Sequence, residues 1–594
     1  MKRRHALALP GALALPAAAA APPPKVLRVA FQVAETGFDP ARVSDIYSAA
    51  VNCHIFEGLL QYDYLARPVK LRPRLAMALP EASDDHRVWT VRLRPGVFFA
   101  DDPAFKGARR ELVAADVVYS FKRFADPAVK SPNWQAVADL GFVGLAELRR
   151  QAVEARAPFA YDAEIEGLRA LDRHTVRFTL ARPLPRFAER LAIGQTFGIV
   201  AREVIEAWGE RSMEHPVGTG PFRLASWRRS SQIVLERNPT YRDERWDAEP
   251  AADDAEGQAI LRRLKGQRLP LVDRVEISVI EEAQPRWLSF LNAQVDLVAV
   301  PPEFGTQAVP GGRLAPNLAR RGVQAWRNLA TGTQFAFFNM EHPLVGGYTA
   351  EKVALRRAIF LGYDVQREID HVYHGGAVLA QSLISPHGSG FDPAFRSDAA
   401  SHSPARAKAL LDLYGYVDRD GDGWREQPDG QPLVIEMATQ ADSQSRKLDE
   451  LWKKAFDGIG IRVVFKPAKW PENLKAARAG RLMFWRLGTT ATIPDGQQTL
   501  QRLYGPESGL GNIARFRLEA FDEVFERLTS LPDGPGREAL FNQAKRLAVA
   551  YAPYRAHVHQ YVDTLAQPWI VGFRRPVFGY DWWHCVDVLP HSDA

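Results

Sequence analysis

The chain has only two cysteines in 594 residues, Cys53 and Cys585. Two thiols make no disulfide framework. In an oxidising compartment they could join the two ends of the chain as a single bridge, and the alternative is two free buried thiols. Charge of one sign is equally scarce. The 76 Lys and Arg stand against 70 Asp and Glu, so a net +6 is spread over the whole length. The basic pairs at 228–229 and 574–575 are too short for a nucleic-acid stripe, and no nucleic-acid partner is expected. Past residue 21 no window reaches the ~18 apolar residues that a membrane-spanning helix needs. Catalytic motifs are missing too. Gly218 and Gly220 are followed by Arg223 where a dinucleotide loop wants its third glycine, and no helix follows. His371 and His374 lack the i, i+4 spacing and the Glu of a zinc-hydrolase helix. Ser389 lies in a Gly-containing loop without the strand–turn–helix setting of a nucleophile elbow. No catalytic residues and no cofactor are expected.

What is present is an ordinary soluble composition, 46% apolar and 25% charged, in a chain too long for one hydrophobic core. Two or three domains are expected. Residues 1–21 have the layout of a secretory signal peptide: Lys2, Arg3 and Arg4, an apolar stretch over 6–15, then small residues at 17–21. No Cys ends that segment, so export without a lipid anchor is expected.

Three stretches stand out along the mature chain. Residues 215–239, HPVGTGPFRLASWRRSSQIVLERNP, read as a Gly/Pro turn, a strand, a polar break over 228–231 and a second strand that Pro239 ends. Residues 26–63 read as a strand, a turn at 35–40, a helix over 43–57 stopped by Gly58, and then LLQYD. Residues 93–123, LRPGVFFADD followed by LVAADVVYSFKR, join a half-buried strand to a helix from about Ala114. Elsewhere, 145–157 reads as a charged helix, 171–180 as one alternating strand, and 242–268 as a charged, irregular surface insertion. Asp364 and Ser403 read as helix caps, Ser403 with Pro404 at the first helical position. Asp418, Asp420, Asp422 and Asp429 fit the spacing of a calcium loop, with Gly423 at its tight turn and Pro428 beside the last acid. A solvated Asp/Gly turn is the competing reading.

The hairpin GTGPFRLASW…IVLERNPTY, with the two stretches before it in the same order, resembles the family 5 extracellular solute-binding proteins, the peptide- and oligopeptide-binding components of ABC importers. The resemblance implies an α/β, two-lobed periplasmic binding protein of type II, in the large peptide-binding subclass, with an extra subdomain on its first lobe. Lobe I would comprise 25–65, 211–330 and the return 546–594, the subdomain 66–210, and lobe II 335–545. It also implies a monomer that captures a peptide or similar small solute and docks on membrane permease subunits. A hydrolase or sensor on the same scaffold, or a receptor for a non-peptide solute, are the alternatives.

The resemblance also carries a ligand region. Peptide-binding members have, in the second lobe, a Trp, a Gly, an Arg and then an Asp that holds the peptide's α-ammonium group. Trp470, Gly480 and Arg486 match the first three, and Trp485 and Thr36 join the candidate ligand-binding residues. The Asp position falls on Thr492, or on Thr490 if Pro494 sets the alignment. Two readings stay open. Asp495 supplies the missing charge, or the ligand presents no free amine there and Arg486, left without its acid, meets a carboxylate, phosphate or carbonyl.

Overall fold

The computed structural model describes residues 23–590, so the signal-peptide segment lies outside the described residues. No described helix is long and apolar enough to cross a membrane. The hairpin forms as read. Strands Phe222–Arg228 and Gln232–Arg237 pair antiparallel, in a sheet completed by Arg274–Val279 and Val26–Phe31. The alternation of Phe222, Leu224 and Ser226 does not persist, because the register shifts between Leu224 and Ser226 and turns Ser226 outward.

The Gly/Pro turn before this hairpin has a steric purpose. The helix Ile46–Ile55, capped by Asp45, ends against it, and Gly220 donates its N–H to the Ile55 carbonyl at 2.8 Å. A Cβ on Gly218 would lie 2.0 Å from that same carbonyl oxygen, and one on Gly220 2.6 Å from the His54 oxygen. Only glycine permits so close an approach of backbone to backbone. Beside the turn, Glu57 is fully buried. It accepts from Thr219 Oγ1 at 2.8 Å and from both Arg242 and Arg74, so the two stretches are joined by one compensated charge cluster.

The subdomain has its own core, running from Ala41 to Val217 with Ile493 added from the second lobe. Its helix Ala114–Ala125 buries Val117, Phe121 and Phe124 at helical spacing, and Phe121 meets Phe178 edge-on. In the stretch 171–180 the strand is shorter than read and covers Thr175–Thr179 only. Leu168–Ala170 and Thr175–Thr179 form a hairpin, and Leu171 stands exposed in the turn. The segment 242–268 is also more than a surface insertion. It carries the helix Ala255–Leu264, and Trp246, 1% exposed, donates its indole N–H to the Cys585 carbonyl. Both cysteines are free and buried, and burial raises both thiols above their ordinary range.

The second lobe is built on strands Gly332–Phe338, Phe484–Thr490, Val434–Thr439 and Arg462–Pro467, flanked by helices. Asp364 and Ser403 cap helices as read, accepting from the N–H of Gln366 and Arg406. The long strand Tyr554–Ala566 leaves this sheet and enters the first lobe. Its start pairs with Gly332–Phe338, and its end with Gln324–Leu329 and Leu297–Ala299. The return to the first lobe therefore lies inside this strand and not at 546, because Ala552 and Val558 still pack with Phe360 and Trp452.

Candidate ligand cleft

Two antiparallel chain segments cross between the lobes, residues 324–338 and the strand Tyr554–Ala566. Ala330 keeps the pairing continuous by donating to the Gln560 carbonyl at 2.9 Å. Beside this ribbon lies a cavity of about 730 Å³. The ribbon contributes Leu329 to Gly332 together with Gln560, Val562 and Thr564. The first lobe adds Phe31, Tyr47 and Val298, and the second adds His387 and residues 488–492. A further wall comes from residues 573–583, where Phe573, Phe578, Tyr580 and Trp582 face the space.

The charged groups on this surface are all of one sign: Arg67, Arg286, Arg327 and Arg575 border the cleft, and no Asp or Glu does. Arg286 is held by the carbonyls of Ile280 and Glu281 at 2.7 and 2.9 Å. Arg327 donates to the Gly375 carbonyl and stands 3.9 Å from Asp563. Arg67 donates to the carbonyls of Ala66 and Arg575 at 2.9 and 3.0 Å. The Arg575 guanidinium has no hydrogen-bond or ion-pair partner among the described residues, and burial lowers its pKa. His387 Nε2 donates to the Leu329 carbonyl, 3.2 Å away; burial, with Arg67 nearby, lowers its pKa and favours the neutral imidazole.

Of the residues singled out by sequence, Thr490 and Thr492 border the cleft. Thr492 is fixed by Gln498, whose Nε2 donates to its hydroxyl at 2.9 Å. The others lie elsewhere. Thr36 is exposed and braces the helix cap, donating to Asp45 Oδ2 at 2.6 Å. Trp470 opens a helix on the outer surface, 47% exposed, and Trp485 is 1% exposed inside the second-lobe core.

Arg486 is not left without an acid. Its guanidinium pairs with the buried Glu368 and meets Tyr373 OH at 2.9 Å. Glu368 in turn binds Tyr363 OH and His557 Nδ1, each at 2.8 Å. Burial pushes the Glu368 carboxyl up, but Arg486 and His557 outweigh it and hold the group at about 2. This corrects the reading in which Arg486 meets an anionic ligand. Asp495 is occupied as well. It is 2% exposed, its oxygens lie 3.0 and 2.9 Å from Arg537 Nη2, and Arg186 Nε approaches to 3.2 Å. Arg186 belongs to the subdomain, so this cluster ties it to the second lobe.

In the calcium-spaced loop the four aspartates do not converge. Asp418 accepts from the N–H of Gly421 and Gly423, Asp422 pairs with Arg462, and Asp429 accepts from Gln431 N–H at 3.0 Å. Glu426, and not Asp429, stands with Asp418 and Asp420 within 4.8 Å.

Two lobes joined by a double crossing, with a cleft lined from both, define a two-lobed solute-binding protein. The chain belongs to the bacterial extracellular solute-binding proteins, family 5, whose middle region matches residues 70–510. It is similar to "Di/tripeptide-binding protein 2" of Pseudomonas aeruginosa (strain UCBPP-PA14), 26% identical over 93% of this chain and 92% of that one. It is 25% identical to "Probable deoxycholate-binding periplasmic protein YgiS" of Escherichia coli (strain K12), covering 90% and 88%. The same fold occurs in the periplasmic binding protein DppA from Helicobacter pylori in complex with peptide STSA. There the TM-score is 0.71, at 21% identity over 95% of this chain and 98% of that one.

The aromatic wall at 573–583 was not found from sequence. Its signal was the density of Phe, Tyr and Trp between Gly and Pro in FRRPVFGYDWW.

Proposed function

We propose that this protein is the exported receptor of an ABC importer: it captures a small organic solute between its lobes and delivers it, chemically unchanged, to a membrane permease. The observation that carries this reading is the cavity of about 730 Å³ on the crossing ribbon, lined from both lobes and by the ribbon itself. A volume of that order suits a peptide-sized or steroid-sized solute. Bending of a two-segment ribbon would close the lobes over it. Kinship agrees in kind but not in detail, because one relative is named for di- and tripeptides and another for deoxycholate.

Native mass spectrometry of the protein as purified tests the proposal, together with thermal shift against panels of peptides, bile acids and sugars. A co-bound small molecule, or stabilisation with the added compound recovered intact, is expected. Consumption of the compound would turn the reading towards an enzyme. A bare mass with no stabilisation by any panel member would overturn it.

A further inference from the structure

Resting on the reading of this cleft as the solute site, we propose that its ligand is an amphiphilic organic anion: an apolar body bearing a carboxylate or phosphate, without a free ammonium group. The first ground is the charge of the lining, where four arginines border the cavity and no acid does. The second is that the carboxylates nearest the cavity already face cations or caps, Asp563 standing 3.9 Å from Arg327. Asp495 is held by Arg537 and Arg186, Glu368 by Arg486 and His557, and Asp45 by its helix cap and Thr36. An ammonium group brought here would be desolvated beside four guanidinium groups, and such burial is strongly unfavourable.

The third ground is Arg575. It is half-buried at the edge of the cavity, and its guanidinium has no hydrogen-bond or ion-pair partner among the described residues. Arg67, which donates to the Arg575 backbone carbonyl at 3.0 Å and has no acid within ion-pair distance among the described residues, borders the same cavity. Planar forks match the two oxygens of a carboxylate or the oxygens of a phosphate. The rest of the cavity supplies the apolar half of the site. Phe31, Tyr47, Phe573, Phe578 and Trp582 present rings, and Val298 an aliphatic surface. The head of the ligand would thus lie at Arg67 and Arg575, with its body along the aromatic wall.

The test is calorimetric titration of the full mature chain, freed of co-purified ligand, with matched probes. Decanoate and decyl phosphate carry one apolar body with two kinds of anion, and decylammonium carries the same body with the opposite charge. N-acetyl-Ala-Phe and Ala-Phe-amide make the same comparison on a peptide. The acids should bind at least tenfold tighter than the cations, and decanoate against decyl phosphate separates carboxylate from phosphate. Arg575→Gln should weaken the acid about tenfold or more, and Arg575→Lys should restore part of the loss, with unchanged circular dichroism in both.

Equal or tighter binding of Ala-Phe-amide or decylammonium would overturn the inference and leave the receptor reading intact. So would an acid affinity unmoved by Arg575→Gln. Binding of none of the probes would also overturn it. Native mass spectrometry of the unstripped protein then decides separately on the receptor: a co-bound solute keeps that reading, and a bare mass removes it.

Discussion

The substitution Asp495→Ala removes a carboxylate that is 2% exposed and compensates two arginines from different parts of the chain. Arg537 is itself 2% exposed, with its Nη2 at 2.9 and 3.0 Å from the two oxygens. Without them it keeps Asp533 at 2.9 Å, the Leu528 carbonyl at 3.1 Å and Gln497 Oε1 at 3.3 Å, and Asp533, largely exposed, also pairs with Arg186. Breaking a buried pair from one side costs about 3–5 kcal/mol because the remaining charge is left uncompensated. Asp533 softens that loss, so the lower end, about 3 kcal/mol, is expected. For a lobe of this size that corresponds to a fall in Tm of about 10 °C, read by calorimetry on the full chain. Asp495→Asn should recover part of it through hydrogen bonds to Arg537. Had Asp495 been a ligand group, the result would differ: an unchanged Tm, with binding lost. That pattern would refute the structural role argued for it.

Arg186→Ala should leave lobe stability nearly intact but loosen closure, since Arg186 reaches Ser389 Oγ at 3.1 Å and the Pro494 carbonyl at 3.3 Å from the other side of the interface. Small-angle scattering should show a larger radius of gyration, and apparent affinity should fall about tenfold; an unchanged radius would contradict the clasp. Stability should fall steeply on mild acidification. Burial lowers His54 to about 3 and His557 and His559 to about 4, so they stay neutral in the fold, while the unfolded chain takes up protons from about pH 6.5. The stabilisation is complete above that pH and is lost on the way down to 4, on the order of 2 kcal/mol per imidazole by pH 5. A urea midpoint that does not move between pH 7 and 5 would count against it. Gly218→Ala places a Cβ 2.0 Å from the Ile55 oxygen and should destabilise the first lobe by about 3 kcal/mol or more, seen as a lowered urea midpoint.

The fold was legible where local chemistry decides the backbone. The caps Asp364 and Ser403 and the helix at 114–125 follow from sterics and hydrogen bonding within a few residues. Reading failed where a distant contact decides. The charged composition of 242–268 hides Trp246, which is buried only because residue 585 covers it. The alternation across 171–180 conceals a turn, since Asp172 and Arg173 fit either a strand face or a hairpin tip. The site was harder for the same reason in sharper form. Whether an ionisable side chain is free to hold a ligand depends on where its counter-charge lies, and that is a long-range fact. Arg486 looked spare because Glu368 stands 118 residues earlier, and Asp495 looked available because Arg186 and Arg537 lie far away on either side. Once those pairs are made, Arg486 is balanced by Glu368, and Asp495 by Arg537 of the second lobe together with Arg186 of the subdomain. Arg575 has no such partner among the described residues, although it borders the cavity of about 730 Å³ beside the crossing ribbon. What distinguishes a ligand-holding residue here is thus a charge left over after the fold has satisfied the rest, and in this cleft the charge left over is positive.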